Sequence, residues 1–236
     1  MKQSGLIGSR QFYKKILALA TPIVIQGSVT NIVSLLDNVM VGQLGTEQMS
    51  GVAIANQLLS VYNFGILGAL AGIGIFTAQF FGKHDEDGLC HTLRSKRVVG
   101  VAFTAAAILL FLLSGRGLID AYIRYAGSEG SALLAGSSAW EYLCIMLIGL
   151  LPYTVGQIYG TTLREVNRTI PAMVGSVAAV LLNLFLNYLL IFGKWGCPCL
   201  GVRGAAIATV VSRFVEMLIV VVWAYLCGER FIRRSW

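Results

Sequence analysis

Residues 16–41 read ILALATPIVIQGSVTNIVSLLDNVMV, an apolar run in which Asp37 is the single ionisable side chain. At about 1.5 Å per residue, a helix of this length crosses a bilayer. A carboxylate inside such a span costs roughly 2.5–3.5 kcal/mol to insert, so it is retained where it faces a cavity, a partner or a substrate path. Gln26, Thr30, Ser34 and Asp37 recur at helical spacing, which gathers them into one polar stripe on an otherwise apolar helix.

The rest of the chain repeats this character. Of its 236 residues, 56% are hydrophobic and 12% charged, with a mean hydropathy of +0.75. A soluble domain carries about 25% charged residues, so the composition specifies an all-α integral membrane protein. Six spans are expected, at 16–41, 49–81, 98–113, 138–162, 170–192 and 204–227. The segments at 1–15 and 228–236 are expected to be a cytoplasmic N-terminal segment and the start of a linker. With the N-terminus in the cytoplasm, 13 of the 18 Lys and Arg fall on that side: Lys2, Arg10, Lys14, Lys15, Lys83, Arg94, Lys96, Arg97, Arg164, Arg168, Arg230, Arg233 and Arg234. Arg116, Arg124, Lys194 and Arg203 fall outside, and Arg213 lies within a span. This is the asymmetry of the positive-inside rule. The net charge of +7 therefore sets orientation and calls for no nucleic-acid partner.

The first span is longer than a signal-peptide h-region and lacks a small-residue cleavage site, so it is read as a retained helix. The five cysteines are scattered, and Cys197-Pro-Cys199 lacks the further ligands zinc requires, so no metal site is expected. No zincin, Walker or nucleophile-elbow motif is present, and the reading is of a non-enzyme without a cofactor. Gly65, Gly68, Gly72 and Gly74 in the long second span predict tilt or a kink there. Residues 83–87 read as a solvated loop, and 114–137 as an external loop, in part helical, with Tyr122, Tyr125 and Trp140 at the interface.

A weak repeat is visible. Pro22, Asp37, Gly42 and Gly45 recur some 150 residues on as Pro171, Asn187, Gly193 and Gly196, and Gly51-Val-Ala-Ile-Ala-Asn56 recurs as Gly204-Ala-Ala-Ile-Ala-Thr209. Repeats are common in transporters, whose sites form where repeats meet. Depth sharpens the pattern. Asp37 lies about 6 Å inside the outer end of its span, and Asn187 and Thr209 each about 7.5 Å inside theirs. Asn183 sits one turn from Asn187. Carboxylate, amide and hydroxyl oxygens are hard ligands suited to Na⁺, and a carboxylate shielded from water can carry a proton. Interhelical hydrogen bonding is the competing use of the same residues. Asn56, Ser60 and Asn63 form a further stripe. Pro152, Tyr153, Gln157 and Tyr159 either line a pocket at a proline kink or simply pack. Arg213 and Glu216, three apart, either neutralise each other or face the cavity.

Ala20-Thr21-Pro22-Ile-Val-Ile-Gln26 followed by Asp37-Asn-Val-Met-Val-Gly42-Gln-Leu-Gly45 resembles the first helix of the MATE (multidrug and toxic compound extrusion) transporters. Gln79-Phe-Phe-Gly82 resembles the end of their second helix. Leu182-Asn183-x3-Asn187 and Gly201-Val-Arg-Gly204-Ala-Ala-Ile-Ala-Thr209 resemble helices five and six. The resemblance extends from about residue 16 to residue 234. It implies that Asp37 is the first-helix acid of H⁺ or Na⁺ coupling, with Asn183, Asn187 and Thr209 in the same polar site. Asn187 is Asp in some relatives, so one negative charge is missing here. Gln26, Thr30, Ser34, Asn56, Tyr153 and Gln157 are the substrate-cavity candidates. The family has twelve helices in two lobes, so the chain is expected to be the N-terminal lobe, as a truncated or fragmentary product, completed by a second six-helix lobe or a homodimer partner. The implied function is antiport of small organic cations across the inner cell membrane in exchange for H⁺ or Na⁺, with both termini cytoplasmic. The alternatives are a lipid-linked saccharide flippase of the same superfamily, which needs a cationic cavity where only Arg213 is expected to be a buried base, and an inactive half-length remnant.

Overall fold

The computed structural model describes residues 10–125, 132–196, 198–226 and 230–234. Lys2, Cys197 and Cys227, and the side chains of Lys15, Tyr125 and Arg230, lie outside the described set. The described helices are α1 (Arg10–Gly42), α2 (Thr46–Gly82), α3 (Glu86–Tyr125), α4 (Ala132–Ile148), α5 (Leu150–Glu165), α6 (Ile170–Phe192), α7 (Gly201–Leu226) and the short α8 (Arg230–Arg234). Five of them are individually long and apolar enough to cross a bilayer, and the bent α4–α5 pair together makes a sixth span.

The second span runs as one continuous helix through its glycines, and the chain is broken in the fourth span, where α4 and α5 meet at 49°. Pro152 has no N–H to offer the carbonyl four residues back, so the helical ladder opens at Ile148–Gly149. The external loop expected at 114–137 is mostly helix. Phe111, Gly115, Ile119 and Ile123 are buried at intervals of four residues, one continuous packed face that carries α3 out to Tyr125. The solvated loop at 83–87 shrinks to a three-residue link, because Asp85 accepts the Gly88 N–H at 2.9 Å as the cap of α3.

Two basic residues counted toward the cytoplasmic surface are drawn inward. Lys96 has 0% exposure, and Arg164 is half-buried against α1. Removing both leaves eleven basic residues at that end of the expected topology against four at the other, so the charge asymmetry survives.

The repeat has a structural counterpart in its glycines. Gly45 (φ +123°) and Gly196 (φ +80°) both occupy the positive-φ region that a β-carbon disfavours. Gly51 and Gly204 both mark close backbone approach: an added β-carbon would stand 2.5 Å from the Ala135 carbonyl oxygen in one case and 2.7 Å from the Leu190 carbonyl oxygen in the other. The core is a contiguous apolar cluster that includes Leu59, Ile66 and Leu70 of α2, Leu143 and Met146 of α4, and Leu150 and Ile158 of α5. Helices α6 and α7 are the most intimate pair, and α1 docks chiefly on α6. That docking brings Asp37 and Asn187 together.

Candidate functional site

At the Gly42 end of the bundle, α1, α6 and α7 place Asp37, Asn183, Asn187 and Thr209 in one hydrogen-bonded cluster. Asn187 Nδ2 donates to Asp37 Oδ1 at 2.7 Å and to Asn183 Oδ1 at 3.2 Å. Asn183 Nδ2 donates to Thr209 Oγ1 at 3.2 Å, and Thr209 Oγ1 donates to the Ala205 carbonyl at 2.9 Å. Asn183 and Asn187 are buried and Asp37 is half-buried. Asn187 Oδ1 is shielded from solvent and reaches no donor among the described residues.

The Asn183 amide meets one mismatched neighbour in each orientation: its oxygen faces the Asp37 carboxylate in one, and its nitrogen lies 3.2 Å from Asn187 Nδ2 in the other. With its oxygen toward α1, that oxygen stands 2.8 Å from Asp37 Oδ2. Turned over, its nitrogen donates to Asp37 Oδ2 at 2.8 Å, while its oxygen accepts from the Thr209 N–H and hydroxyl at 3.2 Å. An ionised carboxylate is acceptor-only and favours the second orientation. A protonated or cation-bearing carboxylate favours the first. Buried Tyr142 of α4 lies within hydrogen-bonding reach of both Thr209 and Asn56, so the repeat-related positions Asn56 and Thr209 meet on one phenol.

The remaining cavity candidates divide. Gln26 Oε1 accepts from Arg164 Nη2 at 3.3 Å. Thr30 Oγ1 donates to the carbonyl of Gln26 on its own helix at 2.9 Å, and Ser34 and Asn56 are exposed. Tyr153 lies under the Arg213 guanidinium, 4.9 Å from its ring centroid, and Gln157 is half-buried one turn further along α5. Arg213 and Glu216 do not form a direct ion pair among the described residues; Glu216 instead lies beside Ser176 on α6. At the Gly42 end, Glu141 and Arg203 form a two-pronged ion pair at 2.8 and 2.9 Å.

Two buried polar groups lie outside the sequence reading. Tyr62, Thr104 and Thr154 tie α2, α3 and α5 in a closed triangle, with hydroxyl separations of 2.9, 2.5 and 2.7 Å. Near the Arg10 end of the bundle, Lys96 Nζ meets Glu165 Oε2 at 2.5 Å, Thr162 Oγ1 at 3.3 Å and Thr161 Oγ1 at 3.5 Å. Isolated threonines within apolar runs gave no signal for the first group. Lys96, between Arg94 and Arg97, counts in the sequence only as one of the basic residues of the cytoplasmic side.

The MatE family model matches residues 22–189. A probable multidrug resistance protein NorM of Thermotoga maritima is 29% identical over 202 residues, which cover 86% of this chain and 42% of that protein. A MATE protein solved in its bent conformation superposes with a TM-score of 0.76 at 25% identity, covering 89% of this chain and 45% of its own. A MOP superfamily transporter from Pyrococcus furiosus, described by the reverse polarity of its binding pocket, superposes with a TM-score of 0.73 at 26% identity, covering 91% and 45%. The chain thus spans about half the length of the relatives it matches.

Proposed function

This chain belongs to the MatE family, and on that premise we propose that it forms the ion-coupling lobe of an antiporter that exports amphipathic organic compounds, organic cations among them, in exchange for H⁺ or Na⁺. The observation that carries the reading is the Asp37–Asn183–Asn187–Thr209 cluster, in which a half-buried carboxylate is joined to two buried amides and a hydroxyl.

With Asp37 ionised, both asparagine nitrogens donate to it, and Thr209 donates to the Asn183 oxygen. When a proton sits on Oδ2, or a cation lies against the carboxylate, Asn183 presents its oxygen and its nitrogen turns to Thr209. The charge state of α1 is thereby written into the polarity of a hydrogen bond on α7. Asn187 Oδ1 supplies one more hard oxygen of the kind Na⁺ takes. Alternation between two states follows when the bound ion lowers substrate affinity, with the proline-bearing α1 as the moving element. A second six-helix lobe or a second copy of this chain supplies the facing wall of the substrate cleft, in a cell membrane with the Arg10 end toward the cytoplasm.

The test is uphill efflux of rhodamine 6G from vesicles holding the full-length gene product. Asp37→Asn keeps the amide contacts but cannot change charge, and it should abolish ion-driven efflux without loss of protein from the membrane. Efflux at the unmodified rate sinks the coupling role. A lipid-linked saccharide flippase is the second reading, favoured by one observation: the interior gathers Arg164 beside Arg213, where a single buried base was expected. Export of the dye without movement of lipid-linked saccharide decides against it.

A further inference from the structure

One turn along α7 from Thr209, the lobe holds a charge imbalance that the coupling cluster does not use. Arg213 lies near the middle of α7, beneath the α4–α5 break, where its Cδ would stand 3.3 Å from a β-carbon added at Gly149. Its guanidinium covers the Tyr153 ring, and its Nη1 is shielded from solvent with no acceptor among the described residues. Arg164 reaches up from the end of α5. Its Nη2 donates to Gln26 Oε1 at 3.3 Å, and its Nε is likewise shielded and without an acceptor. Arg213 on the Tyr153 ring and Arg164 on Gln26 thus lie along the same side of α5, and both act electrostatically on Tyr153 and Glu216. Glu216, beside Ser176, balances one of the two positive charges.

Charge inside a membrane protein is retained for use, and a guanidinium cannot discharge itself by giving up its proton. Glu216 can become neutral and Arg164 and Arg213 cannot, so the region carries at least one excess positive charge in every protonation state. Planar forks with open N–H groups are suited to oxygen anions such as carboxylate, sulfonate or phosphate.

We propose that Arg164 and Arg213, set around Tyr153 and Gln26, form a subsite for the anionic group of an amphipathic substrate. Substrates then include amphiphiles bearing an oxygen anion, alone or beside a cationic centre. This inference rests on the transport reading of the lobe, and it concerns recognition, not coupling.

The test is equilibrium binding without an ion gradient, with the purified full-length gene product in detergent micelles and dye anisotropy as the readout. 6-Carboxyfluorescein should bind, and Arg213→Gln and Arg164→Gln should each weaken it about tenfold, the loss of one charge-assisted contact. Arg213→Lys should recover part of that loss, and both Gln variants should weaken 6-carboxyfluorescein more than rhodamine 6G. Size-exclusion profiles and melting temperatures like those of the unmodified protein establish that the variants are folded. Competition by an aromatic carboxylate or by a polyprenyl diphosphate distinguishes a drug-like anion from a lipid headgroup as the source. Failure of the unmodified protein to bind 6-carboxyfluorescein overturns the proposal, as does a folded Arg213→Gln variant that binds it within twofold of normal. Ion-driven efflux reads the coupling role of Asp37 and gradient-free binding of 6-carboxyfluorescein reads the subsite, so failure of the coupling reading and failure of the subsite give different results.

Discussion

Replacing Lys96 with Met removes the cation of a buried pair and leaves its partner behind. Lys96 has 0% side-chain exposure and Glu165 17%, and the ammonium meets one carboxylate and two hydroxyl oxygens, which matches its three donors. Breaking such a pair from one side costs about 3–5 kcal/mol, because the remaining charge is stranded. Relaxation offers little relief, since the Glu165 carboxylate rests directly against Gly74, where a β-carbon would collide with it. At roughly 2–4 °C per kcal/mol for 150–250 residues, Lys96→Met should lower the melting temperature by about 6–20 °C. Glu165→Gln, which strands the fully buried ammonium, should cost as much or more. The double variant should recover about 2–3 kcal/mol relative to the sum of the two singles, since neither charge is then stranded. Melting of all four proteins in the same detergent closes the cycle. Strictly additive losses would refute the reasoning, because they would mean that the two groups do not interact in the folded lobe.

Gly204→Ala should lower the melting temperature despite the better helix propensity of alanine, because the new β-carbon meets the Leu190 carbonyl at 2.7 Å and overpacking costs about 1–3 kcal/mol. Gly68→Ala, with no atom within 4 Å of its β-carbon position, should raise it by the equivalent of about 0.5–1 kcal/mol, and the opposite order in a melting series would contradict the packing argument. Tyr62→Phe should cost only about 1 kcal/mol, since Thr104 and Thr154 keep bonds to the Gly100 and Leu150 carbonyls at 2.7 and 2.9 Å. A loss of several kcal/mol would show that the triangle is cooperative in a way those retained bonds do not allow.

The spans were legible because hydropathy reports the solvent directly. Residues 170–192 match α6 end to end, since Pro171 starts the helix and Gly193 takes the left-handed cap. The α4–α5 break was legible only in part: Pro152 marked it, but the glycines of α2 competed for the same inference, and an unbroken ladder tolerates glycine far better than a missing N–H. Asp37, Asn187 and Thr209 could be set at one depth from position alone. That α1 docks on α6, which brings the carboxylate onto the amide, depends on tertiary packing that no local pattern records. Lys96 and Arg164 show the limit most clearly. Long side chains near helix ends can reach outward to water or inward to a partner, and the choice rests on what stands across the gap, here Glu165 and Gln26.

Ion–dye linkage tests the central claim most directly. Rhodamine 6G affinity is measured across a range of pH and of Na⁺ concentration, for the full-length protein and for Asp37→Asn, and the ion's own affinity is measured with and without dye. The account predicts that raising the coupling ion weakens dye binding at least about tenfold, that saturating dye weakens the ion by the same factor, and that both effects vanish in Asp37→Asn. An ion dependence of the same size in Asp37→Asn would contradict it.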